Sequence, residues 1–273
     1  GIVIAWHVTE TEIPDHIATE MKNYLFARAH PEDGGWGLHI EGESTVFGTA
    51  MNYTSLRILG VSEEHPVMIK ARGTLHKLGG AKAGPHWAKF WLSILGVCKW
   101  EIVNPVPPEF WLLPDWVPFA PWRWWIHMRM VFLAMSFIWS RRWTYPETAL
   151  IRSLRQELFV EPYESINWAE HRNTICERDN YHPKSWLLKT AFWLIEKVHV
   201  PFTRTNSLKQ KAEDWVWKLV QMEDKNTDHA DLAPVNAAMN LVVCFIKEGP
   251  NSHSVKRHRD RMADNLWVKA EGM

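Results

Sequence analysis

The amino-acid sequence predicts an all-α protein built from paired helices closed into an α/α barrel. Two observations carry that expectation. Apolar residues recur at spacings of three and four along most of the 273 residues, and no run alternates with the period of a strand. Helical segments also follow one another at short, regular intervals, with Pro, Gly or Asn at most joins, which is the pattern of stacked helical hairpins. An open superhelix is the competing arrangement.

Ile13-Pro14 leads into a first helix over Asp15–Arg28, with Ile17, Met21, Leu25 and Phe26 near one face. His30–Gly37 (HPEDGGWG) cannot continue it, because Pro, Asp and two consecutive Gly favour a turn. Ser44–Leu59 reads as the second helix, with Val46, Ala50, Tyr53, Leu56 and Leu59 in register and Gly60 as its stop. Val67–Leu78 and Pro85–Val97 follow. Residues 104–121 hold six of the 16 prolines, so this segment is extended and must be fixed by its aromatic side chains. Helical periodicity then returns over Trp122–Ser140, Pro146–Leu158, Ser165–Cys176, Pro183–Val198, Ser207–Glu223, Ala233–Lys247 and His253–Trp267. No linker divides the chain, which argues for one domain over residues 1–273 with residues 1–30 as a lead-in.

Composition narrows the function. Lys+Arg and Asp+Glu both number 31, so no field of one sign points to nucleic acid. Cys98, Cys176 and Cys244 lie far apart without metal-ligand spacing, which suits reduced thiols in an intracellular protein. The start, GIVIAWHVTETE, lacks the basic region and cleavage site of a secretory signal. No apolar run reaches the ~18–20 residues of a membrane span. Met130–Trp139, bounded by Arg129 and Arg141–Arg142, reads as a buried helix or as one lying in a membrane interface. Eighteen Trp outnumber the 11 Phe and 5 Tyr together. Indoles are large, rigid and negative on their faces, so they suit a wall that holds an apolar ligand and tolerates positive charge. The string Glu223-Asp224 with Asp228 and Asp231 is read as a solvated helix end, not as a metal–diphosphate site.

The motif YLFARAHPEDGGWG resembles the QW repeat of triterpene cyclases, with His30 where a Gln is usual. The stretches GGWGLHIEGESTVFGTAMNYTSLRILG, HWAKFW, FWLLPDWVPFAPWRWWIHMR, ESINWAEHRNTI, DNYHPKSWLL and DNLWVKAEGM occur in the order found in oxidosqualene cyclases, most like the fungal lanosterol and protostadienol types. The resemblance spans the whole chain. It implies the smaller of two α/α barrels, inserted into a larger one, with the cyclisation cavity between them. It also implies site residues. Trp125 corresponds to a cation-facing Trp, and His127 to a His that helps orient the catalytic centre and takes the final proton. Trp87 corresponds to another cavity Trp, Phe132 replaces a channel Tyr, and Met128 lies near that channel. An imidazole can serve there as base, hydrogen-bond donor or cation partner without a metal.

Departures accompany the likeness. The family's Q-V-[YF]-L-P-M-S-Y reads MVFLAMSF over Met130–Phe137, and GPVNAPMN reads APVNAAMN over Ala233–Asn240. The acid that opens the epoxide comes, in the family, from a DCTAE motif on the larger barrel; neither it nor DxDD occurs here. Three readings stay open. The first is a free-standing barrel that holds an apolar terpenoid and promotes an acid-independent cyclisation, such as a cycloaddition, or an isomerisation. The second is a piece of a triterpene synthase acting on 2,3-oxidosqualene, inactive without the DCTAE barrel. The third is a terpenoid carrier or membrane-surface protein. No cofactor, metal or nucleic-acid partner is expected. The expected location is cytoplasmic or peripheral to the endoplasmic reticulum membrane through Met130–Trp139.

Overall fold

The computed structural model describes residues 1–270 and 272, and among them every extended element is a helix. Eleven α-helices are described: α1 (Ile2–Val8), α2 (Asp15–Ala27), α3 (Val46–Ile58), α4 (Pro66–Lys77), α5 (His86–Leu95), α6 (Ile126–Arg141), α7 (Ala149–Glu157), α8 (Trp186–Leu194), α9 (Asn206–Thr227), α10 (Pro234–Glu248) and α11 (His253–Met262). The all-α class expected from periodicity is therefore the observed one, with helices paired as in an α/α barrel.

The inner helices are α1, α3, α5, α6 and α10. Helix α1 packs on α3, α5 and α10, and α10 continues the ring to α6. Their side chains are buried almost all round: Tyr53, Leu56, Phe90, Leu92, Phe137, Leu241 and Val242 are each fully inaccessible. Helices α2, α4, α7, α9 and α11 lie outside, α4 and α7 on α3, α9 on α6 and α11 on α10. Buried ion pairs clamp the two layers. Glu157 of α7 accepts from Tyr53 Oη at 2.5 Å and from Arg57 Nε at 3.2 Å, both on α3. Glu213 of α9 accepts from Ser140 Oγ of α6 at 2.5 Å and pairs with Arg141 Nε at 2.8 Å.

The glycine-rich turn after α2 ties that helix to α3. Gly34 sits at φ +71°, a conformation that L side chains rarely adopt. Asp33 Oδ1 accepts from Gly35 N and Ser44 Oγ, and Trp36 Nε1 donates to Leu25 O at 2.9 Å. A Cβ on Gly48 would meet Trp36 O at 2.3 Å, so only glycine lets α3 approach the turn this closely. The clasp thus runs through Asp33 and Trp36. At His30 the backbone takes part, donating from N to Gly35 O and accepting at O from Gly34 N.

Several elements depart from the sequence expectations. Helix α1 was hidden because seven residues, apolar on nearly every side, show no periodicity. The helix expected over Ser165–Cys176 is absent, and short 3₁₀ turns at Tyr163–Ser165 and Glu170–Asn173 replace it. Carbonyls of this segment are bound from outside instead: Lys89 Nζ, on a fully buried side chain of α5, donates to His171 O at 2.8 Å and Thr174 O at 2.7 Å. Helix α6 begins at Ile126, four residues later than predicted, because residues up to Trp125 remain extended after the 3₁₀ turn Pro121–Arg123. Beyond α8 the backbone widens into a π-helical turn, Ile195–Thr203, that contains Pro201.

Of the two expectations for Met130–Trp139, a buried helix or an interfacial one, the buried helix is the one observed. Leu133 to Trp139 are each at most 2% exposed, because this stretch is the inward face of the ring. Exposed apolar side chains gather instead on α8 and its extension, at Trp186, Leu187, Trp193 and Phe202. Among the described residues no helix is long and apolar enough to cross a membrane. Cys98, Cys176 and Cys244 are unpaired thiols.

Candidate active-site wall

The proline-rich connection into α6 is held by its indoles. Trp111 Nε1 donates to Ser136 Oγ of α6 at 3.1 Å, and Trp122 Nε1 and Trp124 Nε1 donate to Leu113 O and Phe119 O at 3.2 Å each. Trp111 meets Trp122 and Trp124 edge-on, and Trp124 meets Phe132 edge-on at 5.7 Å. This scaffold fixes the entry to α6 without regular secondary structure.

Trp125 is the residue just before α6, with an extended backbone (φ −57°, ψ 137°). Two residues apart within a helix, the rings of positions 125 and 127 would diverge. Because Trp125 stands outside the helix, its indole turns back, and the Trp125 and His127 centroids lie 4.6 Å apart at 60°. Phe132 and Val131 follow on the next turn. Trp87, at the start of α5, lines the same concavity, braced edge-on by Trp91 at 5.9 Å.

All five residues singled out from the sequence, Trp87, Trp125, His127, Met128 and Phe132, line one concavity of about 440 Å³. Val131, Ala233, Val235 and Asn236 complete its lining. Its surface is almost wholly apolar. Among the described residues the sole ionisable side chain on it is His127, and Asn236 is turned inward, accepting from Ala233 N and donating to Glu223 Oε1. The last three residues come from the α9–α10 junction, whose contribution sequence reading missed. The APVN motif carries them.

The geometry is open. Trp125 is 70% exposed and Met128 45%. The indoles therefore line an open concavity, not an enclosed chamber. A face of this kind can hold an isoprenoid chain and stabilise positive charge through its rings. Among the described residues no carboxyl group lines the concavity.

Behind the wall lies a second constellation, which also corrects an expectation. Glu223, Asp224 and Asp231 are not solvated: Glu223 is 9% and Asp224 3% exposed, and the Asp231 carboxylate is fully covered. Among the four acids only Asp228 faces solvent, paired with Arg257 and Arg261. Burial raises the Glu223 and Asp231 carboxyls above the usual range, Asp231 to about 8. Asn236 and Asn240 donate to the two Glu223 oxygens at 2.7 and 3.0 Å, linking this interior to the apolar wall.

Paired helices around a buried core, with an aromatic concavity at one edge, place the chain in the class of α/α-barrel domains. The chain belongs to the squalene-hopene and oxidosqualene cyclase family, matching its squalene-hopene cyclase N-terminal domain over residues 2–271. It is 64% identical over 273 residues to lanosterol synthase erg7B of Aspergillus fumigatus, covering all of this chain and 38% of that protein. Lanosterol synthase ERG7 of Gibberella zeae is 62% identical over 273 residues, again all of this chain and 36% of the relative. Terpene cyclase/mutase ntnI of Nectria sp is 46% identical over 272 residues, 37% of its length. The chain thus spans under two-fifths of the length of the curated relatives it matches.

Proposed function

We propose that the chain supplies one wall of the cyclisation cavity of a triterpene synthase acting on 2,3-oxidosqualene, and that it works beside the acid-bearing remainder of such an enzyme. The observation that carries this reading is the convergence of Trp87, Trp125, His127 and Phe132 on one open apolar concavity, with Trp125 itself largely exposed. A free-standing catalyst would enclose its substrate to orient it and exclude water. This wall does neither alone, which favours the two-barrel reading over an acid-independent cyclase.

Within that reading, the π-faces of Trp125 and Trp87 stabilise a migrating carbocation, and Phe132 shapes the channel. His127, beside the Trp125 ring, takes the proton released at the end or positions the group that does. Initial epoxide opening needs a strong acid, which belongs to the remainder of the enzyme. Apolar contact with a bilayer, which we move from Met130–Trp139 to the exposed α8, would let the substrate enter from the lipid phase. Replacing Trp193 by Glu tests this through loss of vesicle flotation.

The direct test incubates 2,3-oxidosqualene with the chain alone and with the chain co-expressed beside the remainder of a lanosterol synthase. Cyclised product is expected only from the pair. Product from the chain alone, or no product from a well-folded pair, overturns the reading.

A further inference from the structure

The end of α9, the loop after it and α11 bring together Asp224, His229 and His258, with one ligand atom of each within 4.8 Å of the other two. His258 is fully buried on α11, and its two ring nitrogens face two carboxylates. Nε2 lies 3.3 Å from Asp224 Oδ1, and Nδ1 lies 3.6 Å from Asp231 Oδ2. Both separations are long for a charge-assisted hydrogen bond, which closes to roughly 2.7–2.9 Å. Neither ring nitrogen is in hydrogen-bond geometry, and the same holds for Asp224 Oδ1, both Asp231 oxygens and His229 Nδ1. His258 thus meets both carboxylates at ion-pair distances without closing a hydrogen bond to either, a buried arrangement that an ion held between the groups would complete.

The spacing suits a cation. Ligands at about 2.0–2.1 Å from a tetrahedral zinc stand roughly 3.3 Å from one another, which is the His258–Asp224 separation. His229 is half-buried, its ring 5.0 Å from that of His258, and it borders an open groove leading to solvent. That groove gives an ion a way in and leaves a fourth position for water. Asp231, on the far side of His258, takes the place of the carboxylate that commonly orients a metal-bound imidazole through its second nitrogen. Glu223 and Asn240 face the cluster from α9 and α10, and Cys244 Sγ donates to Asp224 Oδ2 at 3.5 Å, fixing that carboxylate.

We propose that Asp224, His229 and His258 form a binding site for a first-row divalent transition-metal ion such as zinc, oriented by Asp231 and independent of the cyclisation cavity. Imidazole and carboxylate donors suit zinc and cobalt better than magnesium or calcium. Its role is to brace the residue 228–233 loop against α11, and that loop leads directly to the Ala233–Asn236 edge of the apolar wall.

The test uses the natural protein carrying this chain, tag-free and stripped with chelator. It is titrated with Zn²⁺ by calorimetry and with Co²⁺ by visible absorption. One equivalent is expected, with the ligand-field bands of tetrahedral Co²⁺ and a higher Tm on adding Zn²⁺. His229→Asn, which suits the left-handed backbone at this position (φ +62°), lowers affinity at least tenfold, and Asp231→Asn lowers it about 10–100-fold. His253→Ala, in the same groove but outside the ligand set, leaves affinity within twofold. Absence of stoichiometric binding, or binding lost with His253 and kept without His229, overturns the site.

Discussion

Replacing Trp125 by Ala separates a cavity wall from a core residue. Trp125 is 70% exposed, so about 30% of its surface is covered within this chain. For an aromatic side chain of roughly 150–250 Å², that is about 50–75 Å² of contact, or about 1–2 kcal/mol at ~25 cal/mol/Å² as an upper bound. Trp91, at 1% exposure on the neighbouring α5, gives the contrasting case. Its truncation opens a cavity in the ring and costs about 3–5 kcal/mol. Urea denaturation of the two variants therefore differs clearly. In the assembled cyclase the order reverses for chemistry. Losing one cation-facing indole removes about 0.5–2 kcal/mol of transition-state stabilisation, a slowing of roughly 2- to 30-fold in single-turnover cyclisation. Trp125→Phe keeps an aromatic face and recovers part of the rate. Trp125→Ala destabilising the fold as much as Trp91→Ala, or leaving cyclisation at the wild-type rate, would refute the reasoning.

Other consequences follow from single contacts. Glu157→Ala strands the Tyr53 hydroxyl and removes a buried partner of Arg57, so it should cost about 3–5 kcal/mol in urea denaturation; a cost below about 1 kcal/mol would show that the α3–α7 clamp is dispensable. Gly48→Ala drives a methyl into the Trp36 carbonyl and should lower stability by about 1–3 kcal/mol or more, visible as a reduced Tm. His86 is held at about 4, chiefly by desolvation, with its ring against Asn104 O. Its folded value lies below the unfolded one of about 6.5, so the unfolded chain binds the extra proton and stability falls as pH drops from about 6.5 to 4. The loss is about 1–3 kcal/mol after discount for its partial exposure, and His86→Gln should flatten that limb of the denaturation profile. An unchanged limb in the variant would assign the acid sensitivity to other groups.

Much of this architecture was legible in the residues. Helices with one apolar stripe, such as α7 and α9, are legible because burial on one side imposes a 3.6-residue period. Helix α1 did not, since a short segment buried all round carries no stripe. The 165–176 segment misled for the opposite reason: its apolar residues Ile166 and Trp168 are buried, but its carbonyls are satisfied by Lys89 from a distant helix. Local sequence cannot report such a partner. The aromatic wall was legible only through family likeness, and its openness was not, because exposure depends on what other elements fail to cover. The acid string around Glu223 looked solvated for want of any sign that α11 returns with His258 to cover it.

The central claim is that the uncovered indoles face the reacting cation. It is tested most directly by determining the structure of the natural protein with an isoprenoid-tailed tertiary ammonium ion, a stable mimic of the cationic intermediate. The account predicts the ammonium within about 6 Å of the Trp125 ring, against His127 and Phe132. An ammonium seated elsewhere, with the Trp87–Trp125 concavity empty or filled by protein, would contradict it.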